Sequence, residues 1–522
     1  MSGHSRIGWA SVAVVSFVTS VAVVSFVKLE VLVLDRNYLN DSFLSSISAV
    51  ASLKELHMEG NMLDQLNSLP EKLPSESWNY DFPRCIDRGC TLNGSLPAQG
   101  WCELRNLQEL DLSGNELEEI LPSCLANMTT LRLLDLSSNH FSGSMTLLSS
   151  FFNLSKLEVI LSDNNEIVDE AESQTWAPTF QLKFISLSGS SLEKSSGTIP
   201  KFLHYQHKLQ VIDLSHNNLS GKFPTWLLEN NSRLEILNLR NNSFIGPFHV
   251  PYHPYPKIWS IDISHNHLGG QIPVNLGLVF PNLGHLNMSG YAFKGIIPSS
   301  FGDLVSLRTL DLSSNHLSGT MPKQFAMSCS SLGYVRLSNN NFSGKIFPIG
   351  FNLTNLSFLY IDNNQFSGKI PNSLPDIQSW AFDFSNNYFS GELLRWMGNM
   401  SSLQEIAMAS KKLGGPIPHS FDLVTLDLRE NRLTGYLPDW IGNLSSLSIL
   451  LLKANHLQGK IQNQLCLLAC LRMLDLFQNN FYGLIPQCLS NITFEGTHQK
   501  SDIVDETWLV DDYVPIETLL PY

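Results

Sequence analysis

One sixteen-residue stretch, Leu307 to Pro322 (LRTLDLSSNHLSGTMP), constrains the fold more than any other feature, because its pattern recurs from Leu29 to Pro486. Relative to Asn315, leucines stand at −8, −5, −3 and +2 (Leu307, Leu310, Leu312, Leu317), glycine at +4 (Gly319) and proline at +7 (Pro322). Anchoring on the asparagine, or on its replacement, gives Asn37, Asn61, Cys90, Asn115, Asn139, Asn165, Ser190, Asn217, Asn242, Asn266, Tyr291, Asn315, Asn340, Asn364, Asn387, Lys411, Asn431, Asn455 and Asn479, mostly 23 to 27 residues apart. Chance yields a single LxxLxL run, but not about nineteen in phase. Each such unit packs only on its neighbours, so 522 residues need not divide into separate globular domains.

The unit is a leucine-rich repeat. Its period-2 core predicts a short strand whose leucines point inward, with the rest of the repeat returning the chain to the next strand. The expected fold is therefore α/β: a curved, right-handed leucine-rich-repeat solenoid with a parallel β-sheet on its concave face. At about 4.8 Å per strand, such an array makes an arc of roughly 90 Å. An asparagine turned inward at the strand end satisfies backbone groups of adjacent coils, so Asn115, Asn139, Asn217, Asn266, Asn315, Asn364, Asn431 and Asn479 are read as a structural ladder. Three domains follow: 1–28, an apolar leader; 29–493, the solenoid, with a loop insertion near 64–84; and 494–522, an acidic segment without repeat phase.

A net charge of −14 and the lack of a basic stripe exclude a nucleic-acid partner. Ile7 to Val27 is uncharged and apolar, readable as a signal-peptide h-region or as a retained signal anchor. Either reading sends the chain out of the cytosol. It also contains an exact duplication, SVAVVSFV at Ser11 and at Ser20. No phosphate loop, HExxH, GxSxG or kinase signature is present, and the histidines and acids fall at repeat-spaced positions. No enzyme activity, cofactor or metal is therefore expected.

The tails LDLSSNHLSGTMP, IDNNQFSGKIP and LDLRENRLTGYLP resemble the plant class of leucine-rich repeat. The cysteine-bearing blocks GWCELRNLQELDLSGNELEEILPSCLANMT and QLCLLACLRMLDLFQNNFYGLIPQCLSNITF resemble the extracellular region of plant receptor-like proteins. The resemblance implies a cell-surface receptor in defence or development, at the plasma membrane or secreted, that binds an extracellular protein, peptide or glycan and signals through a partner kinase or co-receptor. It also implies an island, further repeats, a cap and one membrane helix beyond Tyr522. The chain stops in what resembles the start of the island and lacks the usual N-terminal cap, so a truncated member or partial gene model is expected. The alternative function is a secreted inhibitor of wall-degrading enzymes such as polygalacturonase, and a second is a non-functional fragment.

Cys102 and Cys124 stand at −13 and +9 from Asn115, and Cys466 and Cys488 at the same offsets from Asn479. One coil separates each pair, so stacking predicts the disulfides Cys102–Cys124 and Cys466–Cys488. Cys85 and Cys90 read as small buried thiols in a core slot and the asparagine slot, while Cys329 and Cys470 lie too far apart to pair. Among the N-x-[ST] sequons, Asn127, Asn153, Asn399, Asn443 and Asn491 share a context beyond the tail and are the expected glycosylation sites. Ligand specificity is expected at −7, −6, −4, −2 and −1, which face the concave side. Aspartate is common at −4 and is read as structural or solvated. Tyr334, Arg336, Phe358, Tyr360 and Trp380, with Trp259 further along, depart from the consensus with aromatics and an arginine, the composition of a binding hot spot.

Overall fold

A computed structural model describes residues 12–14, 29–35, 52–61, 93–94, 104–119, 121–144, 154–168, 177–190, 192, 197–290, 292–346, 355–370, 380–393, 403–409, 412–417 and 423–491. The chain forms two units, Met1–Gly368 and Lys369–Tyr522. Each is a stack of parallel-strand coils with little helix.

In the first unit each three-residue strand pairs in parallel with that of the next coil. Thr309–Asp311 pairs with Tyr334–Arg336, and Tyr334–Arg336 with Phe358–Tyr360. In the second unit the same ladder runs through Ala381–Asp383, Glu405–Ala407, Thr425–Asp427, Ile449–Leu451 and Met473–Asp475. The period-2 alternation decides which residues reach the core: Leu307, Leu310, Leu312 and Leu317 are all fully buried, while Thr309 and Asp311 face out of the sheet half-buried.

The asparagine ladder supplies what the coil backbone cannot. Asn315 Nδ2 donates to the carbonyls of Met288 (2.9 Å), Leu312 (3.1 Å) and Ser313 (3.0 Å), and its Oδ1 accepts the Phe293 amide (3.0 Å). One side chain thus stitches two coils and satisfies buried groups of both. Asn115, Asn139, Asn217, Asn266, Asn364, Asn431 and Asn479 repeat this arrangement. Ser190, in the same slot, has its hydroxyl 2.5 Å from the Ser162 carbonyl of the preceding coil and 3.4 Å from that of Ser188 in its own. The chain enters each slot through a left-handed residue, such as Ser314 at φ 53° or Ala454 at φ 55°. A β-carbon there costs about 1–2 kcal/mol, which the ladder bonds offset.

After the asparagine, the tails form a second set of short parallel pairs, as between His316–Gly319 and Asn341–Gly344. The tail proline then ends the strand, because it has no amide to donate, and opens a short helix: Pro298 precedes Ser299–Asp303, and Pro322 precedes Lys323–Ser328.

Glu55–His57 pairs directly with Glu109–Asp111, and the Asn61 amide donates to Asn115 Oδ1. Asn93–Gly94 pairs with Glu116–Leu117, as a tail belonging to the same coil as Asn61 would. The loop expected near 64–84 lies outside the described residues. Cys85 and Cys90 themselves lie outside the described residues. At the other end, Val12–Val14, inside the expected leader, pairs in parallel with Val31–Val33. No helix among the described residues is long and apolar enough to cross a membrane.

Candidate ligand-binding face

Strand register builds the site. Tyr334 lies opposite Phe358 and Arg336 opposite Tyr360, with Val335 and Leu359 between them turned into the core, each 2% exposed. The alternation leaves all four outward side chains half-buried on one face. The Tyr334 ring centroid is 6.1 Å from that of Phe358 and 6.0 Å from that of Tyr360, and the Arg336 guanidinium carbon is 6.0 Å from the Tyr360 ring centre. These are contact distances for tilted aromatic pairs and for a cation over a ring. In the same register position Val159, Phe184, Val211 and Ile236 are 2 to 7% exposed, whereas His285 and Thr309 are half-buried like Tyr334, so what sets the cluster apart is its aromatic and arginine side chains rather than its openness.

Two further residues are expected on the binding face. Trp259 belongs to the first unit but lies three strands away, roughly 14 Å along the ladder, and its ring lies beside Gly284. Trp380 belongs to the second unit and is 49% exposed.

The aspartates at −4 hold backbone. Asp311 Oδ1 accepts the Ser313 amide at 2.8 Å, and Asp111, Asp135, Asp213, Asp262, Asp383, Asp427 and Asp475 accept the equivalent amide in their coils. Burial, opposed by the Ser313 bonds and by Arg336, raises the Asp311 pKa. Burial first and the neighbouring Asp111 second push Asp135 up to about 7, and burial pushes Asp163 up to about 6. Asparagines alternate with aspartates over several coils: Asn238 donates to Asp213 at 2.7 Å and Asn287 to Asp262 at 3.1 Å. The alternation stands at one offset, −4, in successive repeats, and stacking turns it into side-chain hydrogen bonds between coils.

Cys466 and Cys488 are disulfide-bonded, with Cα atoms 5.7 Å apart. Cys102 lies outside the described residues. Cys329 is a buried free thiol, pushed up to about 12 by its burial, and Cys470 is free and exposed. Asn127 and Asn443 are exposed and occupy the same place, the last residue of a short 3-10 helix. Asn491 ends a third such helix, while Asn153 and Asn399 fall outside the described residues. Asn287, another sequon, is 6% exposed with its amide committed to Asp262.

The family models "Leucine rich repeat" and "Leucine Rich Repeat" match residues 98–141 and 421–481, and 208–230, 306–327 and 355–377. Cuscuta receptor 1 of Solanum lycopersicum is 35% identical over 41% of this chain and 18% of its own length. Receptor-like protein 15 of Arabidopsis thaliana is 34% identical over 43% of this chain and 29% of its own length. The chain thus spans less than a third of these relatives. Among solved structures, the Arabidopsis receptor kinase HAESA in complex with the peptide hormone IDA and the co-receptor SERK1 superposes with a TM-score of 0.67 at 29% identity, covering 88% of this chain and 72% of that one. The peptide hormone receptor RGFR1 in complex with RGF2 gives 0.67 at 25%, covering 90% and 77%.

Fold, repeat motif and these likenesses define a leucine-rich-repeat protein. Within that class the chain is similar, over the matched segments, to plant receptor-like proteins.

Proposed function

We propose that the chain is the recognition region of a plant cell-surface receptor that binds an extracellular peptide on the Tyr334, Arg336, Phe358 and Tyr360 cluster and signals through a partner kinase. The carrying observation is the convergence of three aromatic rings and one guanidinium on a single half-open face. Rings supply large contact area at low entropic cost, and arginine supplies directional donors. HAESA and RGFR1, which share the fold, are each solved with a peptide hormone. The leader reading of 1–28, the island reading of 494–522 and residence at the plasma membrane belong to the same proposal.

Capture from an apoplastic peptide pool, followed by titration of the recovered synthetic peptide, tests it. Tyr334→Ala with Phe358→Ala should weaken binding about 30-fold or more, with the melting temperature within a few degrees of wild type. Unchanged affinity, or captured hydrolases that the chain inhibits, would overturn the reading in favour of an enzyme inhibitor. Passage through the secretory pathway further predicts N-glycans at Asn127 and Asn443. Deglycosylation should remove mass from peptides carrying each, and unmodified asparagine at both after expression in plant cells would contradict secretion.

A further inference from the structure

The contact between Glu55–His57 and Glu109–Asp111 sets Glu55 opposite Glu109 and His57 opposite Asp111. Leu56 and Leu110 are fully buried, so all four polar side chains share the outward face. Donor atoms of Glu55, His57 and Glu109 lie within 4.8 Å of one another. Facing carboxylates alone make an ordinary repulsive acidic patch. Here an imidazole converges on the same point, and its Nδ1 stands 3.6 Å from the Asp111 carboxylate. A carboxylate behind a histidine is the arrangement that orients the ring of a metal ligand. Asp111 is itself held by the Ser113 amide and hydroxyl, at 2.9 and 2.7 Å.

Lys54 pairs with Glu30 at 2.9 Å, and Arg132, whose charge also reaches Glu109, stands 3.6 Å from Glu158. No lysine or arginine among the described residues forms an ion pair with Glu55 or Glu109.

We propose that Glu55, His57 and Glu109 form a divalent-cation site, with Asp111 as the positioning residue for His57. One imidazole nitrogen with two carboxylates suits a cation of intermediate hardness, Mn²⁺ or Zn²⁺. Ca²⁺ requires six to eight oxygens and is disfavoured. The ion would cross-link two paired strands, Glu55–His57 and Glu109–Asp111. It would also neutralise the Glu55–Glu109 repulsion. The site lies many coils from the Tyr334 cluster and stands independently of the peptide-binding proposal.

Calorimetric titration of the purified full chain with MnCl₂, ZnCl₂ and CaCl₂ at neutral pH tests it, alongside melting curves with and without Mn²⁺. One saturable Mn²⁺ or Zn²⁺ site is expected, weakened about 100-fold in Glu55→Gln with Glu109→Gln. Without metal that variant should melt no lower than wild type, because it loses a like-charge contact, and Mn²⁺ should raise the melting temperature of wild type alone. His57→Gln provides a second variant and should weaken binding similarly. Asp111→Asn should weaken it about tenfold. Equal affinity in wild type and the Glu55, Glu109 variant, no saturable binding up to millimolar metal, or Ca²⁺ binding tighter than Mn²⁺ and Zn²⁺ would each overturn the proposal.

Discussion

Asn315→Ala should destabilise the first unit by about 3–5 kcal/mol, read as a lower denaturant midpoint and faster amide exchange around Phe293 and Leu317. The side chain makes four hydrogen bonds in a buried setting, three donated to the carbonyls of Met288, Leu312 and Ser313 and one accepted from the Phe293 amide. Asn315 is itself only 4% exposed, so water has little access to the groups left behind. Each orphaned group then costs its desolvation, which exceeds the net value of a hydrogen bond exchanged with solvent. Asn315→Asp tests the mechanism further. It keeps the acceptor for Phe293 but sets a carboxylate oxygen against three carbonyls, and it should be no better than alanine. The exposed neighbour His316 provides the control, since His316→Ala should stay within about 0.5 kcal/mol of wild type. A loss below about 1 kcal/mol for Asn315→Ala would mean that the ladder is not what joins the coils.

The second large effect is steric. Gly277 lies in the short helix Leu276–Val279, and a β-carbon there would sit 1.9 Å from the Ser300 carbonyl oxygen of the next coil. Neither atom is at the end of a flexible side chain, so relief requires the coils to separate. Gly277→Ala should cost about 3 kcal/mol, the upper part of the range for overpacking, with a melting transition lowered by several degrees. Gly284 is the matched control. Its added β-carbon would meet nothing nearer than 3.6 Å, at the Trp259 carbonyl and then the Trp259 ring, and Gly284→Ala should be tolerated. If both substitutions are neutral, coil spacing on the helical side is looser than the structure has it.

Much of the fold is legible in the linear pattern because a solenoid is assembled from neighbours. The leucine positions, the ladder asparagines and the paired spacing of Cys466 and Cys488 each refer to the adjacent coil only, so a phased repeat specifies them without any long-range guess. The same argument recovers Tyr334, Arg336, Phe358 and Tyr360, since facing across a parallel pair follows from equal offsets. It does not reach the pairing of Glu55–His57 with Glu109–Asp111, two strands 54 residues apart that no regular repeat spacing brings together.

The sequence alone therefore determined the class of fold, the inward and outward assignment of nearly every strand residue, and the departure from consensus after Asn315, because hydrophobic period and backbone satisfaction act locally. Tertiary structure decided which coil follows which where the period breaks. It thereby decided that Glu55 faces Glu109 across 54 residues of chain, a contact that no offset within a regular repeat contains. It also decided how far outward-facing residues are open: Val211 and Tyr334 share one register position, yet the first is closed and the second half-open. Burial depends on every neighbour a residue meets in space, and a repeat pattern records only the neighbours it meets by rule.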